Sequence, residues 1–177
     1  MRYLDTEVGT IEIREANEED AHELVTFMNW VTGEVDFHTY GANDYHISDD
    51  NEKKVIQMFR ERDNCLFLVA AFKGEIVAVA TLAGGAKERV EHRGTIGITV
   101  AKRFWRLGIG EQMMRVILDY SEQSPVLTKL ELLVHQDNYP AIKLYNKLGF
   151  FREGLMKRHF KIEDKYYDGI RMGLLVD

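Results

Sequence analysis

Cysteine is nearly missing from this chain: Cys65 is the single one in 177 residues, so no intrachain disulfide can form and a cysteine-based metal site has no ligand set. That composition fits a reducing compartment. Proline is almost as scarce, with Pro125 and Pro140 only, and no Gly/Ser-rich or low-complexity stretch divides the sequence. A single domain over residues 1–177 is therefore expected, with 11–175 approximating the folded core. Long apolar runs are also lacking. Residues 66–72 and 76–83 fall well short of the ~20 residues that cross a bilayer, and Met1-Arg2-Tyr3-Leu4-Asp5 opens no apolar signal region. The expectation is a cytoplasmic protein with no membrane partner. Positive charge is not in excess, since 23 Lys and Arg face 29 Asp and Glu for a net −6, which argues against a nucleic-acid partner. The same balance mildly favours cationic partners. Two familiar phosphate signatures are absent as well. Gly-Lys-Ser/Thr occurs nowhere, and Met113 stands where a dinucleotide fingerprint needs a third small residue.

What is present instead is the run from Gly97 to Glu111: a β-type segment ending Ile98-Thr99-Val100, a basic turn, then Gly108-Ile109-Gly110 at the start of a helical pattern. Such an order builds a cradle for an anion, because the first N–H groups of a helix lack internal partners and the macrodipole adds partial positive charge there. Gly108 and Gly110 let a ligand approach the backbone closely. Taken alone, the pattern is equally compatible with a turn and close helix packing.

Around this run the periodicities alternate between strand and helix. Residues 10–14 read as a strand, Glu18-Glu19-Asp20 as a first helical turn, and Leu24, Val25, Phe27 and Met28 as a helical apolar face. From 33 to 51 periodicity fails and acids mix with aromatics and histidines: Glu34, Asp36, Phe37, His38, Tyr40, Asp44, Tyr45, His46. This predicts a loop long enough to contact a ligand, or a plain helix-to-helix connection. A helix is expected over 52–62, a hairpin from 66–72 and 75–82 turning at Lys73-Gly74, and a strand over 92–100. Ile109, Met113, Val116, Ile117 and Tyr120 give the next helix its packing stripe. A buried strand over 129–135, a helix ending at Gly149, and two last strands over 150–162 and 165–175 complete a mixed α/β pattern.

The second informative run is Asn138-Tyr139-Pro140-Ala141-Ile142-Lys143-Leu144-Tyr145-Asn146-Lys147-Leu148-Gly149-Phe150. Asn138 and Tyr145 lie seven positions apart, close to two helical turns, so they project near one face. Judged in isolation, Asn138 reads as a helix cap before Pro140, and Tyr145 as an amphipathic core residue.

Together the two runs resemble the GCN5-related N-acetyltransferase (GNAT) family. There, a strand ending in an aliphatic residue precedes Arg/Gln-x-x-Gly-x-Gly/Ala, and Asn-x-x-Ala-x-x-Leu-Tyr-x-x-x-Gly-Phe follows a later strand. This chain matches the first with Gly108 and Gly110, and the second with Asn138, Ala141, Leu144, Tyr145, Gly149 and Phe150. Trp105 departs from Arg/Gln, as is familiar from the ribosomal-protein and polyamine acetyltransferase-like branches.

The resemblance implies a single mixed α/β domain, with a mostly antiparallel twisted sheet, splayed central parallel strands and flanking helices. It also implies acetyl-CoA as donor, with no metal. Its arm would meet the backbone of Ile98 and Val100, its diphosphate the amides of Arg106, Leu107, Gly108, Ile109, Gly110 and Glu111, with Asn138 and Tyr145 completing the site. Tyr145 would protonate the leaving thiolate during direct attack by a primary amine within a ternary complex. Cys65 has no evident partner base and is not expected to act as a nucleophile. Glu34, Glu91, His92 and His135 are candidates for the base, and none is preferred. Thr95 stands in the region where some relatives carry a glutamate. Acceptors in view are a protein N-terminus, a polyamine, an amino-acid derivative or an aminoglycoside, and a homodimer is a further expectation. The alternative reading is an acyl-CoA-binding regulator without turnover.

Overall fold

The computed structural model of the protein describes residues 1–34, 37, 39–41 and 43–176. Asp36 and His38, named above in the loop, lie outside the described residues. Among the described residues eight strands form one sheet: β1 (Arg2–Thr6), β2 (Gly9–Glu15), β3 (Leu66–Phe72), β4 (Glu75–Gly84), β5 (Arg93–Val100), β6 (Lys129–His135), β7 (Phe151–Ile162) and β8 (Lys165–Leu175). Their spatial order is β1-β2-β3-β4-β5-β6-β8-β7, and only the β5–β6 pair is parallel. The helices are α1 (Ala21–Val31), α2 (Asp49–Arg60), α3 (Ile109–Gln123) and α4 (Tyr139–Lys147).

Local chemistry sets most of these boundaries. Lys73 and Gly74 both have positive φ (53° and 88°), the requirement of a tight two-residue hairpin whose twist suits its strands. Ser48 caps α2 by accepting from the Asn51 N–H, so this helix starts three residues before the predicted 52. β1, which the sequence reading did not anticipate, is a short edge strand paired with β2.

Backbone bonds fix which way each residue of β5 points. The Arg93 carbonyl accepts from Gly85 on the β4 side (3.0 Å), whereas the His92 carbonyl accepts from Thr128 on the β6 side (3.0 Å). Backbone groups alternate along a strand, so the even-numbered residues of β5 direct their N–H and C=O toward β6. Side chains alternate between the two faces of the sheet in the same way. Gly94 and Ile96 are buried while Thr95 and Gly97 are exposed; on β6, Leu130, Leu132 and Val134 are buried while Lys129, Glu131 and Leu133 are only half-buried. One face of this central pair is therefore core, and the other is open as far as Leu133, beyond which His135 is covered.

The core face receives α3 through Ile109, Met113, Met114 and Ile117, all buried. Burying such side chains stabilises a fold by about 1.5–3 kcal/mol each. Val116 and Tyr120 of the predicted stripe are half-buried, and the Tyr120 hydroxyl donates to the Asp63 carbonyl at 2.8 Å.

Candidate active site

The parallel pairing of β5 and β6 is short. It runs from Arg93↔Lys129 to Ile96↔Leu132 and stops, although β5 continues to Val100 and β6 to His135. Each strand keeps its other neighbour to the end, with Ala78↔Val100 on one side and His135↔Gly169 on the other. A wedge opens between them. By the alternation above, the backbone groups of Ile98 and Val100 face this wedge without a strand opposite.

Directly after the open end of β5, the chain makes a turn and enters α3. Arg106 (φ 65°) and Gly108 (φ 81°) both adopt left-handed backbone. For Arg106 that conformation costs roughly 1–2 kcal/mol, strain of the kind that persists where a turn has a task. The first bond that closes α3 runs from the Gln112 N–H to the Gly108 carbonyl (2.9 Å), and no side chain among the described residues caps the helix. The amides of Ile109, Gly110 and Glu111 therefore precede the helical ladder and remain donors for an anion. A Cβ placed on Gly108 would meet nothing within 4 Å, so this turn borders open space.

Gly110 joins the cradle to the wedge. A Cβ there would sit 3.8 Å from Val100, 3.9 Å from Ile98 and 3.9 Å from Leu144, so β5, the start of α3 and α4 converge on one glycine. The Trp105 indole Nε1 donates to the Val100 carbonyl at 2.7 Å, tying the turn back to the strand. Of the two nearby arginines, Arg103 is engaged elsewhere, 3.5 Å from Glu75 and over the rings of Phe104 and Trp30. Exposed Arg106 makes no ion pair or hydrogen bond among the described residues. The Glu111 carboxylate accepts from Lys147 (2.7 Å) and Arg115 (2.9 Å), which hold its pKa down and offset its negative charge beside the cradle.

The helix that follows β6 is α4. Asn138 caps it by accepting from the Ala141 N–H at 3.3 Å, which is the cap reading of that residue, with Pro140 inside the first turn. Tyr145 is 7% exposed, its ring centroid 6.1 Å from that of Phe150, and its hydroxyl has no hydrogen-bond partner among the described residues. Burial pushes the phenol up to about 12. It is thus a proton-bearing group with nothing of the chain's own to give the proton to.

The acetyltransferase (GNAT) family model matches residues 27–150. The chain belongs to that family. It is 32% identical to the L-amino acid N-acetyltransferase AaaT of Escherichia coli (strain K12) over 59% of this chain and 65% of that one. The match thus spans less than two thirds of that relative's length. A crystal structure of a GNAT-family acetyltransferase from Streptococcus pneumoniae superposes with a TM-score of 0.91 at 32% identity, covering 94% of this chain and 99% of that one. The yncA structure from Salmonella typhimurium, a putative acetyltransferase described with its cofactor acetyl-CoA, shares the fold with a TM-score of 0.81 at 17% identity, covering 94% of each chain. The predicted GNAT membership and the mixed, mostly antiparallel sheet with one central parallel pair are both borne out.

On this GNAT scaffold the four candidate bases fall in different places. Glu91 and His92 sit at the start of β5, eight or more residues from Val100, or roughly 26 Å along the strand at ~3.3 Å per residue. They are at the wrong end. The Glu34 carboxylate accepts from the Lys102 N–H (2.7 Å), just beyond β5. His135 is buried at the end of β6 against Phe37, Phe160 and Tyr167, with ring centroids 5.3, 5.2 and 4.9 Å away. Its Nδ1 accepts from the Asp137 N–H at 3.1 Å, which assigns the proton of the neutral ring to Nε2. The loop after α1 therefore touches both lips of the wedge, through Glu34 on one side and Phe37 on the other. Sequence reading found that loop but not these two anchors, because both depend on contacts with residues far along the chain. Cys65 is buried beside Asn64 and takes no part in this region.

Proposed function

We propose that this protein transfers the acetyl group of acetyl-CoA to a primary amine by direct attack within a ternary complex. The observation that carries the reading is the coincidence of two features on β5: backbone groups facing an open wedge, and an uncapped helix N-terminus at the mouth of that wedge. The first offers strand-like hydrogen bonds to an amide-bearing arm, and the second offers N–H donors to a diphosphate. Membership of the family and the acetyl-CoA named for the Salmonella neighbour support the same donor. A single domain in the cytoplasm is part of the reading, supported by the absence of a linker composition and by the lone buried Cys65.

Acetyl-CoA supplies the thioester; the chain supplies position, charge and a proton. Ile98 and Val100 hold the arm along β5, while Ile109, Gly110 and Glu111 donate their amides to the diphosphate, with Leu107 and Gly108 shaping the turn and Arg106 adding charge. An N–H group aimed at the carbonyl oxygen stabilises the negative charge that develops there, an effect worth about 3 kcal/mol in comparable sites. Tyr145 gives its proton to the departing sulfur. Because its phenol stays protonated through neutral pH, it serves as an acid and not as a base, a role typically worth ~10²–10⁴-fold. Asn138 contributes by starting α4 at the place that brings Tyr145 to its position.

The acceptor is an amine, and the L-amino acid relative favours an α-amino group as the first to try. Calorimetry with acetyl-CoA, followed by thiol release over L-amino acids, spermidine and an alanine-initiated peptide, tests the reading. Binding with release of thiol on at least one amine is expected. Binding with transfer to none would favour the acyl-CoA-binding regulator, in which Tyr145 would serve only as a packed core side chain.

A further inference from the structure

The amine that attacks arrives as an ammonium ion, and some group must take its proton before the C–N bond forms. The open face of the central strand pair shows where. Odd-numbered residues of β5 and β6 share this face: Thr95, Gly97 and Thr99 on one strand, Glu131, Leu133 and His135 on the other. Exposed Thr95 and Gly97 lead along it into the wedge. It is the face opposite α3, so an acceptor can enter here while the cradle is filled from the other side.

Among the described residues of β5 and β6, Glu131 is the one carboxylate on this face. It is paired across the ladder with Thr95, one step before the last paired residues Ile96 and Leu132. The Thr95 hydroxyl donates to its Oε1 at 3.4 Å, and Arg93 lies 3.8 Å from Oε2. Its side chain is 17% exposed, oriented yet reachable by water. The wedge opens one step above it, and the backbone of Ile98 stands three residues beyond its partner Thr95, roughly 10 Å along the strand at ~3.3 Å per residue. The glutamate side chain covers part of that distance and a bridging water the rest. The other candidates fail on position or state: Glu91 and His92 lie at the far end of β5, Glu34 is bound to Lys102, and the proton of the His135 ring sits on Nε2.

The geometry points to Glu131 as the carboxylate that receives the acceptor's proton, through a water at the foot of the wedge, an inference that rests on the transferase reading above. In the balanced step, one proton passes from the ammonium to Glu131 and the freed nitrogen lone pair attacks the thioester carbon. As the C–N bond forms and the C–S bond breaks, Tyr145 protonates the sulfur. The nitrogen's second proton restores Tyr145, and Glu131 returns its own to solvent. The charges sharing the face with Glu131 are Arg93 from β5, Lys129 of β6 with its partner Glu153 of β7, and Arg171 of β8. Three cations and a second carboxylate share the face with it, and Arg93 is the cation within ion-pair reach.

The experiment measures kcat/KM from pH 6 to 10 for wild type, Glu131→Gln, Glu131→Asp and Arg93→Met, using acetyl-CoA with L-amino acids, spermidine and an alanine-initiated peptide, alongside acetyl-CoA affinity and thermal midpoints. Glu131→Gln is expected to lose ~10²-fold or more at pH 7 with acetyl-CoA affinity within about twofold. Its deficit narrows about tenfold per pH unit up to the amine's own pKa, because the amine then arrives already neutral. Glu131→Asp recovers part of the rate. Arg93→Met removes the ion pair and keeps the carboxylate, so it is expected to retain most of the wild-type rate and the wild-type pH dependence. A Glu131→Gln enzyme with the parental pH profile overturns the assignment, as does a deficit that is constant with pH and matched by Arg93→Met, which marks an ion pair of structural value only. A wild type that binds no acetyl-CoA, or binds it and acetylates none of these amines, overturns the transferase reading and this inference with it.

Discussion

The Trp105 indole and the Val100 carbonyl are joined by a 2.7 Å hydrogen bond that spans the turn between the end of β5 and the start of α3. Trp105 is 40% exposed, so its ring is not part of the core, and this is the side-chain hydrogen bond that ties it to the fold. It holds the cradle at a fixed distance from the wedge. Where the family motif has Arg or Gln, this chain uses an aromatic donor for the anchoring and leaves charge to Arg106.

Replacing Trp105 with Phe removes the donor and keeps most of the ring. A hydrogen bond of this type contributes about 0.5–1.5 kcal/mol, so acetyl-CoA affinity should fall roughly 2- to 10-fold with kcat nearly intact. Titration calorimetry reads this directly. Unchanged affinity would mean that the cradle is positioned without the indole.

Tyr145→Phe separates acid catalysis from binding. Turnover should drop by ~10²-fold or more while acetyl-CoA affinity stays within a few-fold. The pH dependence follows from the raised phenol: Tyr145 remains protonated until near pH 12, so any decline in rate below about pH 10 belongs to another group. For stability the sign is also fixed. The folded state binds this proton more tightly than the unfolded state, whose phenol titrates near 10, so the contribution is complete below pH 10 and is lost as pH rises toward 12. The Phe variant should lack that alkaline loss in a denaturation series.

Much of the site is legible in the sequence because its parts are local. The turn at 105–111, the Asn138 cap and the Lys73-Gly74 hairpin each declare themselves within a few residues, through glycines, a capping side chain and alternating apolar positions. The anchors of the wedge are not local. Glu34 reaches Lys102 across 68 positions, Thr95 reaches Glu131 across 36, and neither pair has a spacing that any helix or strand period would single out. The divergence of β5 from β6 is equally silent: both strands read as continuous β segments, and only the sheet shows that pairing stops at Ile96↔Leu132.

Two glycines of the cradle should respond differently. Gly108 needs its left-handed φ of 81°, and a Cβ there meets nothing within 4 Å, so Gly108→Ala strains the backbone without blocking space. The expected result is a loss of roughly 1–2 kcal/mol of stability. Gly110 has no such φ, but its Cβ would already touch Val100, Ile98 and Leu144, so Gly110→Leu fills the junction of wedge and cradle. Acetyl-CoA binding should weaken by tenfold or more with a smaller effect on the thermal midpoint of the ligand-free protein. The reverse pattern, with Gly108→Ala abolishing binding and Gly110→Leu silent, would place the donor elsewhere.

Glu52 offers a test of the scaffold beneath the loop. Its side chain is fully buried on α2, Oε2 accepts from the Tyr45 hydroxyl at 2.9 Å, and Oε1 has no hydrogen-bond partner among the described residues. Burial raises its pKa, with the Tyr45 bond opposing that shift. The folded state therefore holds this proton more tightly than the unfolded state. Stability associated with Glu52 is complete below the unfolded carboxyl range near 4.3 and declines as pH rises through the folded value. Glu52→Gln keeps an acceptor for Tyr45 and removes the ionisation. Its thermal midpoint should exceed that of wild type at pH 8 and match or fall below it at pH 4. A variant destabilised equally at both would show that the carboxylate is held ionised, with Tyr45 compensating for its burial.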